Sequence, residues 1–143
     1  MSTPTVAEKL GGRRGLRREV HSEVELALAV QAGLSTRAAD AVVREGLLSP
    51  GELYRLVIPR RTLAHRKEKR QALSPEQSDR LARVVRVATR AEEALADEAK
   101  AHRWLRTPNR ALSGRAPLDL LDTDIGARTV ERVLVRLEHG IVS

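Results

Sequence analysis

The densest run of chemistry-bearing residues is Arg60 to Arg70, RRTLAHRKEKR, where six Lys/Arg stand against one Glu, a net +5 over eleven residues. Guanidinium and ammonium groups at that density are phosphate ligands, and those at the start of a helix can also reach base edges in a major groove. Arg60, Arg61 and Thr62 open the run and are the candidates for base edges. His65, Arg66, Lys67, Lys69 and Arg70 follow and suit the phosphate backbone. A charged, solvated helix face would contain the same residues, so both readings stand. Elsewhere the chain offers little chemistry of its own. His21, His65, His102 and His139 are widely separated, none at a recognised metal-ligand spacing, so no metal site is expected. There is no Cys, which removes disulfides, thiolate zinc sites and cysteine nucleophiles. Gly11-Gly12-Arg13-Arg14-Gly15 lacks the Lys-Ser/Thr ending and the preceding strand of a phosphate-binding loop, and there is no Gly-x-Ser-x-Gly elbow. Glu92/Glu93 and Asp97/Glu98 fall on a polar helical face with no apolar pocket to raise a pKa. The expectation is no enzyme and no cofactor.

The formal charge of +7 over 143 residues is unevenly placed. Residues 1–73 hold 14 Lys/Arg against 8 Asp/Glu, while residues 74–143 hold 12 against 11. A basic excess confined to one half suggests that this half faces a polyanion, most commonly nucleic acid. Hydrophobic residues make up 41% of the chain, yet the aromatics are Trp104 and Tyr54 alone. Packing must then come from Leu, Val and Ala, which favours closely approaching helices. A lean core of this size is often completed by a second copy or a partner. No apolar run approaches the roughly 20 residues needed to span a bilayer, and Met1 to Leu10 is not a signal peptide, so a cytoplasmic protein is expected.

Start signals and apolar spacing outline the elements. Met1 to Arg18, with three glycines and four arginines, shows no apolar period and reads as a mobile basic arm. Ser22 and Glu25 have capping-box spacing ahead of a helix from Glu23 to Ala32 closed by Gly33. Ser35 or Thr36 opens a second helix with Ala38, Ala39, Val42 and Val43 on one stripe, ended by Gly46. These two are the expected packing or dimer-contact elements. Ser49-Pro50-Gly51-Glu52 starts a short helix that Pro59 must stop, and Arg60 to Lys69 forms another, anchored by Leu63. Helix, short turn, helix is the plan of a helix-turn-helix unit. Ser74-Pro75-Glu76-Gln77 opens a long amphipathic helix, Pro75 to Leu105 with a break, whose other face bears Arg80, Arg83, Arg86 and Arg90 and reads as solvated. Thr123 or Asp122 caps a last helix with Ala127, Val130, Val133, Leu134 and Leu137 on one side, closed by Gly140.

Two stretches resemble a known family. Leu53 to Arg70, LYRLVIPRRTLAHRKEKR, resembles the helix-turn-helix of Xre-type antitoxins, and the likeness extends through Leu73 to Leu81. Pro59 stands where a capping Ser is more usual in that family, and Ala64 where an aromatic often occurs. From Trp104 onward, Trp104-Leu105, Pro108-Asn109, Leu112, Gly114, Pro117-Leu118, Leu120 to Thr123, Gly126, Val130, Leu134 and Glu138-His139-Gly140 resemble the toxin-binding segment of the Xre/MbcA/ParS antitoxins. The resemblance implies a partner of the RES type, an NAD-consuming toxin with a fold related to ADP-ribosyltransferases, whose active-site cleft the C-terminus approaches. On that basis Trp104, Pro108, Asn109 and Arg136 would contact the toxin, while Glu138, His139, Gly140, Ile141, Val142 and Ser143 would form the plug.

The expected architecture is all-α: a basic arm over residues 1–18, an Xre-like helical domain over 19–103 with its helix-turn-helix at about 50–70, and a small helical toxin-binding domain over 104–143. The expected function is an antitoxin that inhibits a RES-type toxin, represses its own operon through operator DNA and forms a homodimer, with no membrane role. The alternative is a helix-turn-helix regulator whose last helix serves dimerisation and which has no toxin partner.

Overall fold

Local capping decides where most helices begin. The computed structural model describes residues 3–140 and is helical nearly throughout, as the spacing predicts. The helices are α1 (Thr3–Lys9), α2 (Gly12–Leu16), α3 (Glu23–Ala32), α4 (Thr36–Arg44), α5 (Pro50–Leu56), α6 (Arg60–Glu68), α7 (Pro75–Leu95), α8 (Glu98–Arg106) and α9 (Asp124–Glu138), with single 3-10 turns at Arg110–Leu112 and Pro117–Leu120. Ser49 and Glu52 form a reciprocal capping box on α5, with bonds of 3.2 and 2.9 Å. Ser74 and Gln77 do the same for α7 at 3.1 and 2.9 Å. Ser22, Ser35, Asp97 and Thr123 each accept a first-turn amide of the helix that follows. Such caps satisfy donors that a helix start otherwise leaves open.

The chain divides into two compact units, one running to Val85 and the other from Arg86 onward, so the division falls inside α7. A boundary at residue 103/104 would instead cut α8, which packs on the 3-10 turn Pro117–Leu120.

In the first unit the expected mobile arm is a correction. Residues 3–9 and 12–16 are helical, and Val6, Leu10 and Leu16 are buried. The glycines that suggested flexibility include one demanded by close packing. A Cβ on Gly15 would lie 1.7 Å from the Leu10 carbonyl oxygen and 3.1 Å from the Ala38 Cα, so only glycine lets α2 lie against α4. Around α4 the core is built from small and branched residues, Ala38, Ala39, Ala41 and Val42, with Leu34, Leu48, Ile58, Leu73 and Leu81. Leu34, in the α3–α4 turn, has both backbone groups bonded. Its amide donates to the buried Ser78 hydroxyl at 2.8 Å, and its carbonyl accepts from the Leu73 amide at 2.8 Å.

In the second unit α7 and α8 reverse direction through Ala96, whose φ of 54° is left-handed, and Asp97 then caps α8. That places the expected break at a residue type rarely found in this conformation. The two 3-10 turns carry Leu112, Pro117 and Leu118 inward against α8 and α9, joining Ala101, Leu105, Leu121, Ala127, Val130 and Leu134.

Replacing Ser78 by Ala removes the only acceptor shown for a buried amide, which costs about 1–3 kcal/mol. A urea melt of Ser78→Ala should show that loss, and an unshifted midpoint would mean that Ser78 does not hold the α3–α4 turn.

Candidate functional site

Two surfaces carry the candidate residues, one in each unit. In the first unit, buried Leu53, Leu56, Val57, Ile58 and Leu63 fix the angle between α5 and α6. Arg80 on α7 adds a bond to the Val57 carbonyl at 3.3 Å, closing the turn from behind. Pro59 occupies the N-cap of α6 and provides no capping side chain, and Arg60 and Arg61 follow it, both exposed. Cations at the positive end of a helix weaken that helix, so their presence there favours an anion from outside. Thr62 is half-buried, while His65, Lys67, Lys69 and Arg70 are exposed.

Two members of the basic run are already engaged. Arg66 turns back and donates from Nη1 to the Ala72 carbonyl at 2.8 Å, and its Nε is buried without a partner. It clamps the end of α6 and is not open to a phosphate. Lys67 pairs with Asp40 of α4 at 2.6 Å. Arg60, Arg61, Thr62, His65, Lys69 and Arg70 remain as outward-facing members of the set.

In the second unit the residues expected to grip a partner divide between structural and open ones. Asn109 is a cap: its side chain accepts from the Ala111 amide at 2.9 Å, and its backbone pairs with Arg115 at 3.0 Å. Trp104 is half-buried on α8, and Pro108 and Arg136 are exposed. Glu138 takes a bidentate contact from Arg90, both bonds at 2.7 Å, which fastens the last turn of α9 to α7. The bonded guanidinium is the main reason the Glu138 carboxyl titrates below its ordinary 4.5. Arg86 reaches Glu131 at 3.2 Å one turn earlier on α7. These arginines are half-buried ties, correcting the expectation of a solvated arginine face. His139 caps α9 and is exposed, and Gly140 continues with φ 74°. Ile141, Val142 and Ser143 lie outside the described residues.

The structure also brings together residues that the sequence kept apart. Glu92 faces Glu98 and His102 across the α7–α8 reversal, their ligating atoms all within 4.8 Å, and His102 Nε2 contacts Glu92 at 3.3 Å. Glu98 and His102 are one helical turn apart, so the statement that no histidine sits at a ligand spacing from a carboxylate is corrected. On α9, Ile125 is 71% and Val135 42% exposed. They sit on the outward face beside Arg128 and Arg132, and only their absence from the inward stripe of α9 could have signalled them.

The first unit is thus a helical module built on a basic helix-turn-helix, and the second is a small helical module closed by a tethered final helix. Residues 25–86 match the antitoxin Xre-like helix-turn-helix domain, and residues 90–140 match the antitoxin Xre/MbcA/ParS C-terminal toxin-binding domain. An Antitoxin Xre of Pseudomonas putida is 33% identical over 122 residues, covering 85% of this chain and 76% of that protein. Antitoxin Xre of Yersinia enterocolitica is 35% identical over 116 residues, 80% and 78% of the two chains. Antitoxin Xre of Photorhabdus laumondii is 33% identical over 113 residues, 78% and 76%. The chain belongs to the Xre family of antitoxins. Among the described residues no helix is long and apolar enough to cross a membrane.

The lowered pKa of Glu138 has a defined pH consequence. Because the folded value lies below the unfolded one, the tie is fully present above the ordinary carboxylate range and is lost as pH falls through the lowered value. Amide exchange in the last turn of α9 should therefore stay slow through mildly acidic pH and quicken only in stronger acid. Arg90→Ala should bring fast exchange already at neutral pH, and unchanged protection in that variant would show that the pair does not hold the helix end.

Proposed function

We propose that this antitoxin neutralises a RES-type, NAD-consuming toxin by presenting the end of α9 and the residues beyond it to the toxin's active-site cleft. The observation that carries this reading is the bidentate Arg90–Glu138 contact, which holds the helix immediately before Gly140. A segment leaving a fixed helix end binds with a smaller ordering cost than one leaving a frayed end. The match of residues 90–140 to a toxin-binding domain supports the same surface, and Val135, exposed in the last turns of α9, adds apolar contact area beside it. The chain acts in the cytoplasm as a stoichiometric inhibitor and catalyses nothing itself.

The helix-turn-helix serves autorepression, with Arg60 and Arg61 at base edges and Lys69 and Arg70 at phosphates. The operator-bound form is a homodimer. Its contact is supported by α3, where Val24 is 69% and Leu28 45% exposed on adjacent turns, an apolar face that a second copy would cover.

Two experiments bear on this. Co-expression of a RES-type toxin with the full chain should restore growth, and a version ending at Gly140 should protect less. Equal protection by both would overturn the plug while leaving toxin binding intact, and no protection by either would favour a regulator without a toxin partner. Arg60→Glu with Arg61→Glu should abolish the operator shift, and wild-type binding should fall steeply with salt. Operator binding that survives the double charge reversal would remove α6 from the interface.

A further inference from the structure

Basic residues from outside the helix-turn-helix, Arg17 and Arg37, meet the end of α6 at one place. Arg17, after α2, Arg37 on α4, and Lys67 and Arg70 at the end of α6 line a cleft of about 660 Å³ in the first unit. Asp40 is its one acidic wall residue, and Lys67 takes that charge at 2.6 Å. The guanidinium groups of Arg17, Arg37 and Arg70 make no salt bridge or side-chain hydrogen bond among the described residues. Three open guanidiniums in one concavity repel each other and concentrate positive potential, a combination relieved by an anion seated among them.

The backbone adds an independent point. Arg17 has φ 65° and Arg70 φ 54°, the left-handed conformation in which helices usually end on glycine or asparagine. An L side chain there is strained relative to glycine. The chain accepts that strain at Arg17, Arg70, Ala96 and Ser113, and the two that fall in the first unit both line this cleft. Strain retained at a shared surface points to use of the side chains themselves.

We infer that the cleft is a phosphate-binding site and that its ligand is a DNA phosphodiester beyond the bases read by the start of α6. Guanidinium forks match phosphate oxygens bidentately. Lys67 lies seven residues after Arg60 on the same face of α6, about 10 Å along the axis at the helical rise. That length is comparable with the ~12 Å width of a major groove. With Arg60 in the groove, the far end of α6 and the cleft beside it meet the bordering backbone. The assignment to DNA rests on the DNA-binding reading above, whereas the affinity for phosphate does not.

Glycine at the two strained positions separates binding from folding. Arg17→Gly with Arg70→Gly should melt at or above the wild-type temperature, yet bind an arbitrary duplex on the order of tenfold more weakly, with a log-log salt slope reduced by roughly 2. Inorganic pyrophosphate should raise the melting temperature of the wild type and of Arg60→Glu/Arg61→Glu, but not of the glycine variant. If the glycine variant folds poorly, Arg37→Gln on the exposed side of α4 should weaken duplex binding in the same direction, with the slope reduced by roughly 1. Wild-type duplex affinity and slope in the glycine variant, or in Arg37→Gln if it stands in, would overturn the cleft. Pyrophosphate binding that the glycines abolish, with no duplex binding by the wild type, would keep the phosphate site while overturning its assignment to DNA. A wild type that binds neither probe overturns the site altogether.

Discussion

The helix-turn-helix depends on how the Leu34 backbone is held. This residue lies in the turn between α3 and α4, fully buried, where water cannot satisfy its amide or carbonyl. The Ser78 hydroxyl takes the amide from 44 residues away, and the Leu73 amide supplies the carbonyl. A buried polar group costs more when left unpaired than it contributes when paired, so these bonds act chiefly by excluding other arrangements of the turn. Through them the α3–α4 turn, the connection after α6 and the first turns of α7 are fixed together. The angle at which α6 offers Arg60 and Arg61 follows from that junction and from Leu63 beneath it.

Such a junction matters more because the core is thin in volume. With no Phe and few aromatics, the first unit packs on alanines and branched aliphatics, and Ala38 and Ala39 have no exposed surface. Small side chains let helices approach closely, but they interlock weakly and leave several registers of similar energy. Specificity then falls to polar contacts and to glycines that admit one approach only. Gly126 plays this part in the second unit, since a Cβ there would lie 1.9 Å from the Leu120 carbonyl oxygen. The motif from Leu118 to Gly126 is therefore a packing device that sets the direction of α9, whatever α9 then touches.

Much of the local structure was readable because its causes are local. Ser22, Ser35, Ser49, Ser74 and Thr123 begin their helices through bonds two or three residues away. What escaped reading depends on distant partners. Arg86 and Arg90 look like a solvated face until Glu131 and Glu138 are placed opposite them, 45 and 48 residues on. Arg66 looks like a phosphate ligand until the chain beyond α6 returns the Ala72 carbonyl to it. Glycines before residue 18 suggested mobility because their spacing does not record that Leu10 and Ala38 press against Gly15. Helix starts are properties of a short window, whereas the open or engaged state of a charge is a property of the fold.

That distinction bears on what each unit can bind. Around the helix-turn-helix the basic excess is largely uncompensated, with Arg60 and Arg61 at a helix start without a capping side chain and three more guanidiniums in an adjoining cleft. A surface of that kind gains most from a polyanion, whose released counterions add to the binding. From residue 74 onward basic and acidic residues nearly balance, and Arg86, Arg90 and Arg128 are taken by Glu131, Glu138 and Asp124. Neutralised arginines offer little long-range attraction. Beside its exposed arginines, α9 presents Ile125 and Val135 outward, apolar groups that gain from a protein surface and not from a phosphate backbone. The two units thus differ in how far their arginines are already paired within the fold.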